Sequence, residues 1–222
     1  MIKTSRWAST VVALSAVAVL AACAMSPLVA PPKLKDGELP IPANYKSWPR
    51  FLPTIDRVDV KQIRDIYINP EGAKATAGGA FPQGTRFVME IYAAATKADG
   101  SAEVDASGRL IKGPLLHVYL MGKEANWGDD VPEATRNGNW IYGAYKPDGS
   151  PNSPLLNTCR SCHTPLKDKD FVFHYDRYFA QRKAAWTVDQ IHAQAAQTGA
   201  LVDAHAVARL DLHSALRSAQ GR

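Results

Sequence analysis

The sequence predicts an α+β fold: an antiparallel β-sheet with a few helices, a short cysteine-containing segment after the sheet, and a helical C-terminal extension. Three observations support this prediction. Short segments with alternating apolar residues are separated by turn residues in the first two thirds of the chain. A single C-x-x-C-H motif follows them. The last forty residues are rich in alanine and free of proline.

The N-terminus has the pattern of a bacterial export signal. Lys3 and Arg6 precede an apolar run from Trp7 to Leu20, which is too short for a comfortable membrane span. The run ends in Leu-Ala-Ala before Cys23, which resembles a lipobox, where the cysteine is lipidated and residues 1–22 are removed. An ordinary secretory signal is the alternative. The lipobox predicts a lipid-anchored protein on the periplasmic side of a bacterial membrane, with the outer membrane favoured.

The segment after Cys23 predicts a tether. Residues 23–39 contain prolines and lysines and lack periodicity, which is typical of a linker. We therefore expect the folded body to cover residues 40–180, with one short helical turn at Asn44–Trp48.

Four strands are expected in this body. Ile63–Asn69 alternates and ends at a Pro-Glu-Gly turn, and Gly84–Ala95 is rich in β-branched and aromatic residues. Leu110–Met121 follows a polar, glycine-containing connection, and Asn139–Tyr145 ends at Pro-Asp-Gly. The close spacing of the four segments predicts an antiparallel sheet.

Beyond the sheet, the chain changes character. Residues 170–173 are short and apolar, and either close a pocket or add an edge strand. Thr187–Gln190 matches a capping box and predicts a helix that continues to about Thr198, and a second helix is expected over Val202–Ser218. We expect residues 181–222 to form a helical extension.

The motif from Cys159 to His163 carries the chemistry. Two cysteines three positions apart, with a histidine directly after the second, have the spacing of a c-type haem attachment site. Cys159 and Cys162 would each form a thioether with one haem vinyl group, and His163 would lie under the iron as an axial ligand. The expected cofactor is one covalent haem c per chain.

Two other readings of the motif are weaker. A structural zinc site needs two further ligands, and no second Cys or His pair occurs at finger-like spacing. A thiol redox pair would not need His163. With Cys23 assigned to lipid, the three cysteines of the chain are all accounted for.

Composition excludes some functions. The formal charge of the whole chain is +5, and it falls to +3 without residues 1–22, because that segment carries Lys3 and Arg6 and no acidic residue. Such a charge is too small to argue for nucleic acid. There is no second long apolar run, so we expect contact with a membrane only through the lipid anchor.

Several separated motifs together resemble the cytochrome P460 and cytochrome c′-beta family. The resemblance covers about residues 36–178 and rests on Asp36–Pro40, Asn44-Tyr45, Trp48, Ile63–Glu71, Phe81–Thr85, Gly138–Trp140, Cys159–His163 and Asp170–Phe173. It implies a periplasmic, usually dimeric haem protein built on an antiparallel sheet. It also implies histidine on one side of the iron, an open site on the other, and chemistry on gases or small nitrogen ligands.

One position departs from part of that family. In the hydroxylamine-oxidising members, a lysine after the Gly-Thr motif is joined to the porphyrin, and the matching residue here is Met89. A thioether cannot supply that amine cross-link. The resemblance is therefore closer to the c′-beta branch, whose members bind nitric oxide and carbon monoxide without the cross-link.

Three hypotheses about function follow. The first is a gas-binding haem protein in which Phe87, Met89 and Ile91, on one face of their strand, form an apolar wall; the alternative is that these side chains are only sheet core. The second is an electron-transfer cytochrome that meets a periplasmic redox partner, with a sixth iron ligand from Met89, Met121 or His117. The third is an enzyme that oxidises a reduced nitrogen compound or uses peroxide.

Overall fold

The computed structural model describes residues 31–152 and 156–198 of the chain. Within them lie five strands, β1 (Arg50–Arg57), β2 (Gln62–Ile68), β3 (Arg86–Ala94), β4 (Lys112–Lys123) and β5 (Trp140–Tyr145). Two α-helices follow, α1 (Leu156–His163) and α2 (Tyr175–Thr198). Short 3-10 helices cover Tyr45–Ser47, Val58–Val60, Gly72–Lys74, Glu133–Thr135 and Thr164–Lys169. The predictions for the signal segment, for Cys23 and for Val202–Ser218 lie outside the described residues.

The strands form one antiparallel sheet in sequence order, β1-β2-β3-β4-β5. The four predicted strands correspond to β2–β5, and each boundary agrees within two residues. The sheet and the few helices confirm the α+β class, and the helical turn expected near Tyr45 is present. No helix in the described ranges is long and apolar enough to span a membrane.

Strand β1 was not predicted from the sequence. Pro53 stands in its middle, and a proline has no N–H to donate to a sheet ladder. The strand can hold it because β1 lies at the edge of the sheet, where prolines are tolerated. The register with β2 shifts between Arg50 and Leu52, just before this proline, and again between Leu52 and Ile55, the interval that contains it.

The predicted tether is too long, because its last residues belong to the folded body. Leu39 is only 2% exposed. Gly37 donates its backbone N–H to the carbonyl of Tyr142 at 2.8 Å, and Asp36 accepts from the backbone N–H of Tyr142 at 2.9 Å. The body therefore begins before Pro40. The sequence pattern missed this because isolated contacts with β5, not a periodic apolar face, hold the segment.

Helix α2 begins at Tyr175 and runs through residues 187–190, so the predicted start at the capping box was wrong, whereas the helix predicted to about Thr198 is present. The helix also crosses the predicted boundary at residue 181. Its first turn is fixed by packing, because Tyr175 and Tyr178 are buried in the aromatic core. Tertiary packing of this kind decides helix ends more strongly than a local capping signal.

The two faces of the sheet have different covers. One face, which we call the helical face, packs against α1 and the start of α2 through a cluster that includes Phe81, Phe87 and Trp140. The opposite face is covered by the N-terminal segment, with Leu39 and Tyr45 against Val88 and other strand residues. Because side chains alternate along a strand, neighbouring residues of β3 lie on opposite faces.

Candidate haem site

Helix α1 presents the cysteine motif directly after the sheet. Cys159, Cys162 and His163 stand at positions i, i+3 and i+4, which place them on one side of a helix. Both thiols are free, with Cys159 partly buried and Cys162 exposed. The helix therefore brings two thiols and one imidazole to the same surface.

His163 is held by a backbone carbonyl. Its Nδ1 lies 2.6 Å from the carbonyl oxygen of Phe171. A carbonyl can only accept, so Nδ1 carries the proton and the lone pair of Nε2 points away from this bond. Burial lowers the pKa of His163, although the Phe171 carbonyl opposes that shift, so the ring is neutral at neutral pH. This is the tautomer and charge state of a metal-ligating histidine.

The loop after α1 is built to reach this histidine. Asp170, Phe171 and His174 all have positive φ angles, which non-glycine residues adopt only when the surrounding structure holds them there. The Asp170 carboxylate accepts from Lys123 Nζ at 2.8 and 2.9 Å and from the backbone N–H of Phe81 at 2.8 Å. These bonds anchor the loop to the sheet. Residues 170–173 form a loop, so the alternative prediction of an edge strand there was wrong.

Three rows of side chains cross the helical face of the sheet. The inner row is fully buried and consists of Ile68, Phe87, Met121 and Tyr142. The middle row is Ile66, Met89, Tyr119 and Ala144. The outer row is Arg64, Ile91 and His117. Most of the middle row is only partly buried: Ile66, Met89 and Tyr119 all retain exposed surface beside the buried inner row.

A ring of residues surrounds this partly covered row. The rings of Tyr142 and Phe173 lie 5.2 and 4.8 Å from that of His163. Burial raises the pKa of Tyr119, the charge of Cys159 adds to the rise, and the charge of Arg64 opposes it. Thus α1, the following loop and strands β2 and β4 border one apolar area.

Two polar atoms on the outer row lack partners within the described residues. Nε of Arg64 and Nδ1 of His117 are both buried and accept or donate no hydrogen bond. Buried polar groups are nearly always satisfied, so each such atom needs an explanation. Their position beside the partly covered row suggests that a bound group supplies the missing partners.

A protein-family model described as Cytochrome P460 matches residues 42–174, which is more than half of the chain. The chain belongs to the cytochrome P460 family. The match confirms the resemblance predicted from the sequence, and it makes the protein a haem-binding cytochrome, since the family implies a covalently bound haem. Among curated proteins, none matches the chain.

The residues of this cytochrome fit a haem. Two thiols and the free Nε2 lie on one side of α1, and the apolar area beside them suits a flat hydrophobic ring. Arg64 is a cation that can pair with a haem carboxylate, and burial lowers its pKa. These residues could supply covalent attachment points, an iron ligand, an apolar surface and a charge partner.

The structure separates the three residues predicted to form an apolar wall. Phe87 packs in the aromatic core, with ring centroids 4.9 Å from Phe51 and 5.3 Å from Phe81, so for this residue the core interpretation holds. Ile91 is also buried, at 4% exposure. Met89 alone of the three keeps part of its surface free on the helical face.

Other residues of the site were missed by sequence reasoning. Tyr119, Tyr142 and His174 border the area, but tyrosines on strands and a histidine in a loop carry no distinctive spacing. Phe173 does carry a signal, because it belongs to the apolar run at residues 170–173, which predicts a segment that could close a pocket.

The alternative uses of the cysteines gain no support from the structure. Burial raises the pKa of the Cys159 thiol to about 11, whereas a redox-active thiol has a lowered pKa. In the described part of the chain, no three His, Cys, Asp or Glu side chains gather as a metal site would require. Both observations are consistent with cysteines that serve haem attachment.

Glu90 lies on the opposite face of the sheet from this site. Its carboxylate accepts from the hydroxyls of Tyr45 at 2.6 Å, Tyr92 at 2.9 Å and Tyr67 at 3.2 Å. Lys46 Nζ is 3.1 Å from the same carboxylate. Glu90 is therefore fully engaged away from the haem area and cannot act there as an acid or base.

Proposed function

We propose that this cytochrome holds one haem c through thioethers at Cys159 and Cys162, with His163 as the axial iron ligand, and binds a small gaseous ligand such as nitric oxide or carbon monoxide on the other side of the iron. The bond from His163 Nδ1 to the Phe171 carbonyl is the observation that carries the proposal, because it leaves a neutral, oriented Nε2. A bound haem supplies the iron coordination position for the gas.

The surroundings of the three candidate sixth ligands argue against two of them. Met121 is 7% exposed within the buried inner row, so its sulfur belongs to the core. His117 stacks on Tyr119, with ring centroids 5.3 Å apart and planes within 16°. This leaves Met89 as the one predicted donor of the three that is neither in the core nor stacked on an aromatic ring.

The chain contributes apolar surroundings to ligand binding. Ile66 and Met89 are neighbours on β2 and β3, and together they present hydrocarbon and thioether surface without a strong hydrogen-bond donor. Such a surface admits a neutral diatomic molecule and disfavours water and ions.

An optical experiment tests this proposal. We expect the purified cytochrome to have a high-spin spectrum, ferric and reduced, that changes at once when carbon monoxide or nitric oxide is added. The variant Met89→Leu keeps the volume and removes the sulfur, and it should retain the high-spin spectrum. A sharp low-spin reduced spectrum that ignores carbon monoxide would overturn the gas-binding proposal.

A second candidate function is electron transfer with Met89 as sixth ligand, and the partial exposure of Met89 on the helical face favours it. A methionine ligand closes the iron and raises its potential. In this case the wild type would be low-spin, and Met89→Leu would convert it to a high-spin form that binds carbon monoxide. The same two proteins thus separate the two candidates.

Oxidation of hydroxylamine is the least supported role. Met89 stands where the cross-linking lysine is expected, and Glu90 faces the other side of the sheet. Steady-state assays with hydroxylamine and an electron acceptor should show no turnover above that of free haem.

We propose that the protein is exported and anchored by lipid at Cys23, on the periplasmic side of the membrane. The lipobox-like sequence before Cys23 supports this. Metabolic labelling with a radioactive fatty acid should label the wild type and not Cys23→Ser. Unlabelled wild-type protein that is nevertheless exported would favour the ordinary secretory signal.

A further inference from the structure

The N-terminal segment reaches the candidate haem site through the carboxylate of Asp36 and the backbone N–H of Gly37. Asp36 precedes residue 42, where the match to the family model begins, although it belongs to one of the motifs that carry the resemblance. Its Oδ1 accepts from the backbone N–H of Tyr142 at 2.9 Å and from Nη2 of Arg160 at 2.9 Å, and its Oδ2 accepts from Nε of Arg160. One side chain therefore joins strand β5 to helix α1.

Both of these partners are next to the iron ligand. The ring of Tyr142 contacts that of His163, at a centroid distance of 5.2 Å. Arg160 precedes His163 by one helical turn, and its backbone carbonyl accepts from Thr164 Oγ1 at 2.8 Å and from Asn137 Nδ2 at 3.2 Å. Asp36 thus fixes the strand residue that touches the ligand and the helix residue that carries it.

This contact is buried and specific. The side chain of Arg160 is 4% exposed and that of Asp36 is 21% exposed. The two bonds from one guanidinium to one carboxylate have the forked geometry that only arginine can make. Within the described residues, Asp36 is the carboxylate that pairs with Arg160, whose Nη2 also donates to the carbonyl of Trp140 at 3.3 Å. Loss of the carboxylate would leave a buried cation without a charge partner there, which is strongly destabilising.

We propose that Asp36 is a positioning residue for His163: it clamps α1 to β5 and so fixes the orientation of the imidazole toward the iron. The inference rests on the proposed role of His163. It gives residues 35–39 a function beyond that of a linker, because the orientation of the iron ligand depends on a segment just after the proposed anchor.

Resonance Raman spectroscopy of the reduced, haem-loaded full chain tests the clamp through the iron–histidine stretching band. In Asp36→Asn we expect this band to shift and broaden. Asp129→Asn is the matched control, because Asp129 also pairs with the N-terminal segment but does so at the surface. Its carboxylate lies 3.7 Å from Nζ of Lys33, and both side chains are about half exposed. The control should keep the wild-type band. If loss of any contact of the N-terminal segment disturbed the haem, the control would change the band as well.

A second variant covers the case in which Asp36→Asn does not fold. Asp36→Asn/Arg160→Met removes both buried charges, which is far less damaging than leaving one unpaired. It should fold, retain haem and show the same shifted band. A wild-type band in either haem-loaded variant would overturn the clamp. Absence of the band in the wild type would instead overturn the proposed role of His163.

Discussion

His163 and Phe171 are joined by a hydrogen bond of 2.6 Å between Nδ1 and the backbone carbonyl. They lie eight positions apart in the sequence, and the chain adopts positive φ angles at Asp170 and Phe171 that bring the carbonyl into place. The tautomer of the candidate iron ligand is therefore set by backbone conformation, and a side chain distant in sequence, Lys123, holds that backbone through Asp170.

Asp170→Asn should loosen this loop. The substitution removes the charge that pairs with Lys123, whose side chain is 9% exposed, and leaves that buried ammonium without its carboxylate partner. Breaking a buried ion pair from one side costs about 3 kcal/mol. Urea unfolding should show that loss, and the haem-loaded variant should lose its iron–histidine band more readily on mild acidification.

Asp168→Asn is the control for this prediction, because Asp168 is exposed two residues earlier in the same loop. Its unfolding free energy should stay within about 0.5 kcal/mol of the wild type. Equal losses in the two variants would mean that the Lys123 contact does not hold the loop.

Substitutions of two phenylalanines should distinguish the core from the haem area experimentally. Phe81 is 2% exposed and contacts Phe87 and Trp140, so Phe81→Ala should cost about 3 to 5 kcal/mol in unfolding free energy. Phe173 is 44% exposed and touches the ring of His163. Phe173→Ala should therefore cost less than about 1 kcal/mol in the haem-free chain.

The haem-loaded forms should show the reverse order. Phe173→Ala should alter the reduced optical spectrum, since Phe173 flanks the candidate iron ligand, whereas a folded Phe81 variant should alter it little. A haem spectrum that responds to Phe81 and not to Phe173 would place the haem elsewhere.

Local pattern was enough to predict strands β2 to β5 and the attachment motif. The strands alternate and end at turn residues, and the motif is fixed by rare residues at set offsets. Features held by long-range contacts escaped it. Pro53 interrupts the strand pattern of β1, and the buried Tyr175 and Tyr178 decide where α2 begins. Asp36 binds β5 through a hydrogen bond to the backbone, which requires no periodic apolar pattern in the sequence.

The candidate site divides in the same way. Cys159, Cys162 and His163 are adjacent in sequence, so their grouping needs no tertiary information. Tyr119 and Phe173 meet the site only because the sheet register and the loop bring them there. The alternation of β3 correctly put Phe87, Met89 and Ile91 on one face, but it could not show that Phe87 packs into a core shared with β1, β2, β4, β5 and α2.

Asp65 should give the protein a stability that is lost in acid. The carboxylate is 2% exposed; burial alone raises its pKa, but hydrogen bonds from Arg50, Lys112 and Thr54 outweigh burial and lower the pKa from 3.8 to about 2. A lowered pKa stabilises the fold above 3.8, and this contribution disappears as the pH falls toward 2.

Asp65→Asn measures this contribution. The variant should be about 2 kcal/mol less stable than the wild type at pH 7, and the difference should shrink below pH 4. Asp130→Asn, at an exposed position, should show no pH-dependent difference. A difference for Asp65→Asn that persists unchanged at pH 2 would show that the carboxylate charge does not stabilise the fold.

Glu90→Gln should destabilise the chain without affecting the haem. The carboxylate binds three tyrosine hydroxyls and Lys46, and an amide can accept through only one of its two terminal atoms. At least one buried hydroxyl then loses its acceptor, at a cost of about 1 to 3 kcal/mol. Chemical unfolding should show this loss.

The optical spectrum and the carbon monoxide affinity of Glu90→Gln should match the wild type, because Glu90 and the haem area lie on opposite faces of the sheet. A changed carbon monoxide affinity would mean that the hydrogen bonds of Glu90 influence the haem through Tyr67 and β2. Tyr145→Phe is the control on the same face, because it removes a hydroxyl that donates to the Leu39 carbonyl. It would show whether loss of any hydrogen bond on that face changes the affinity.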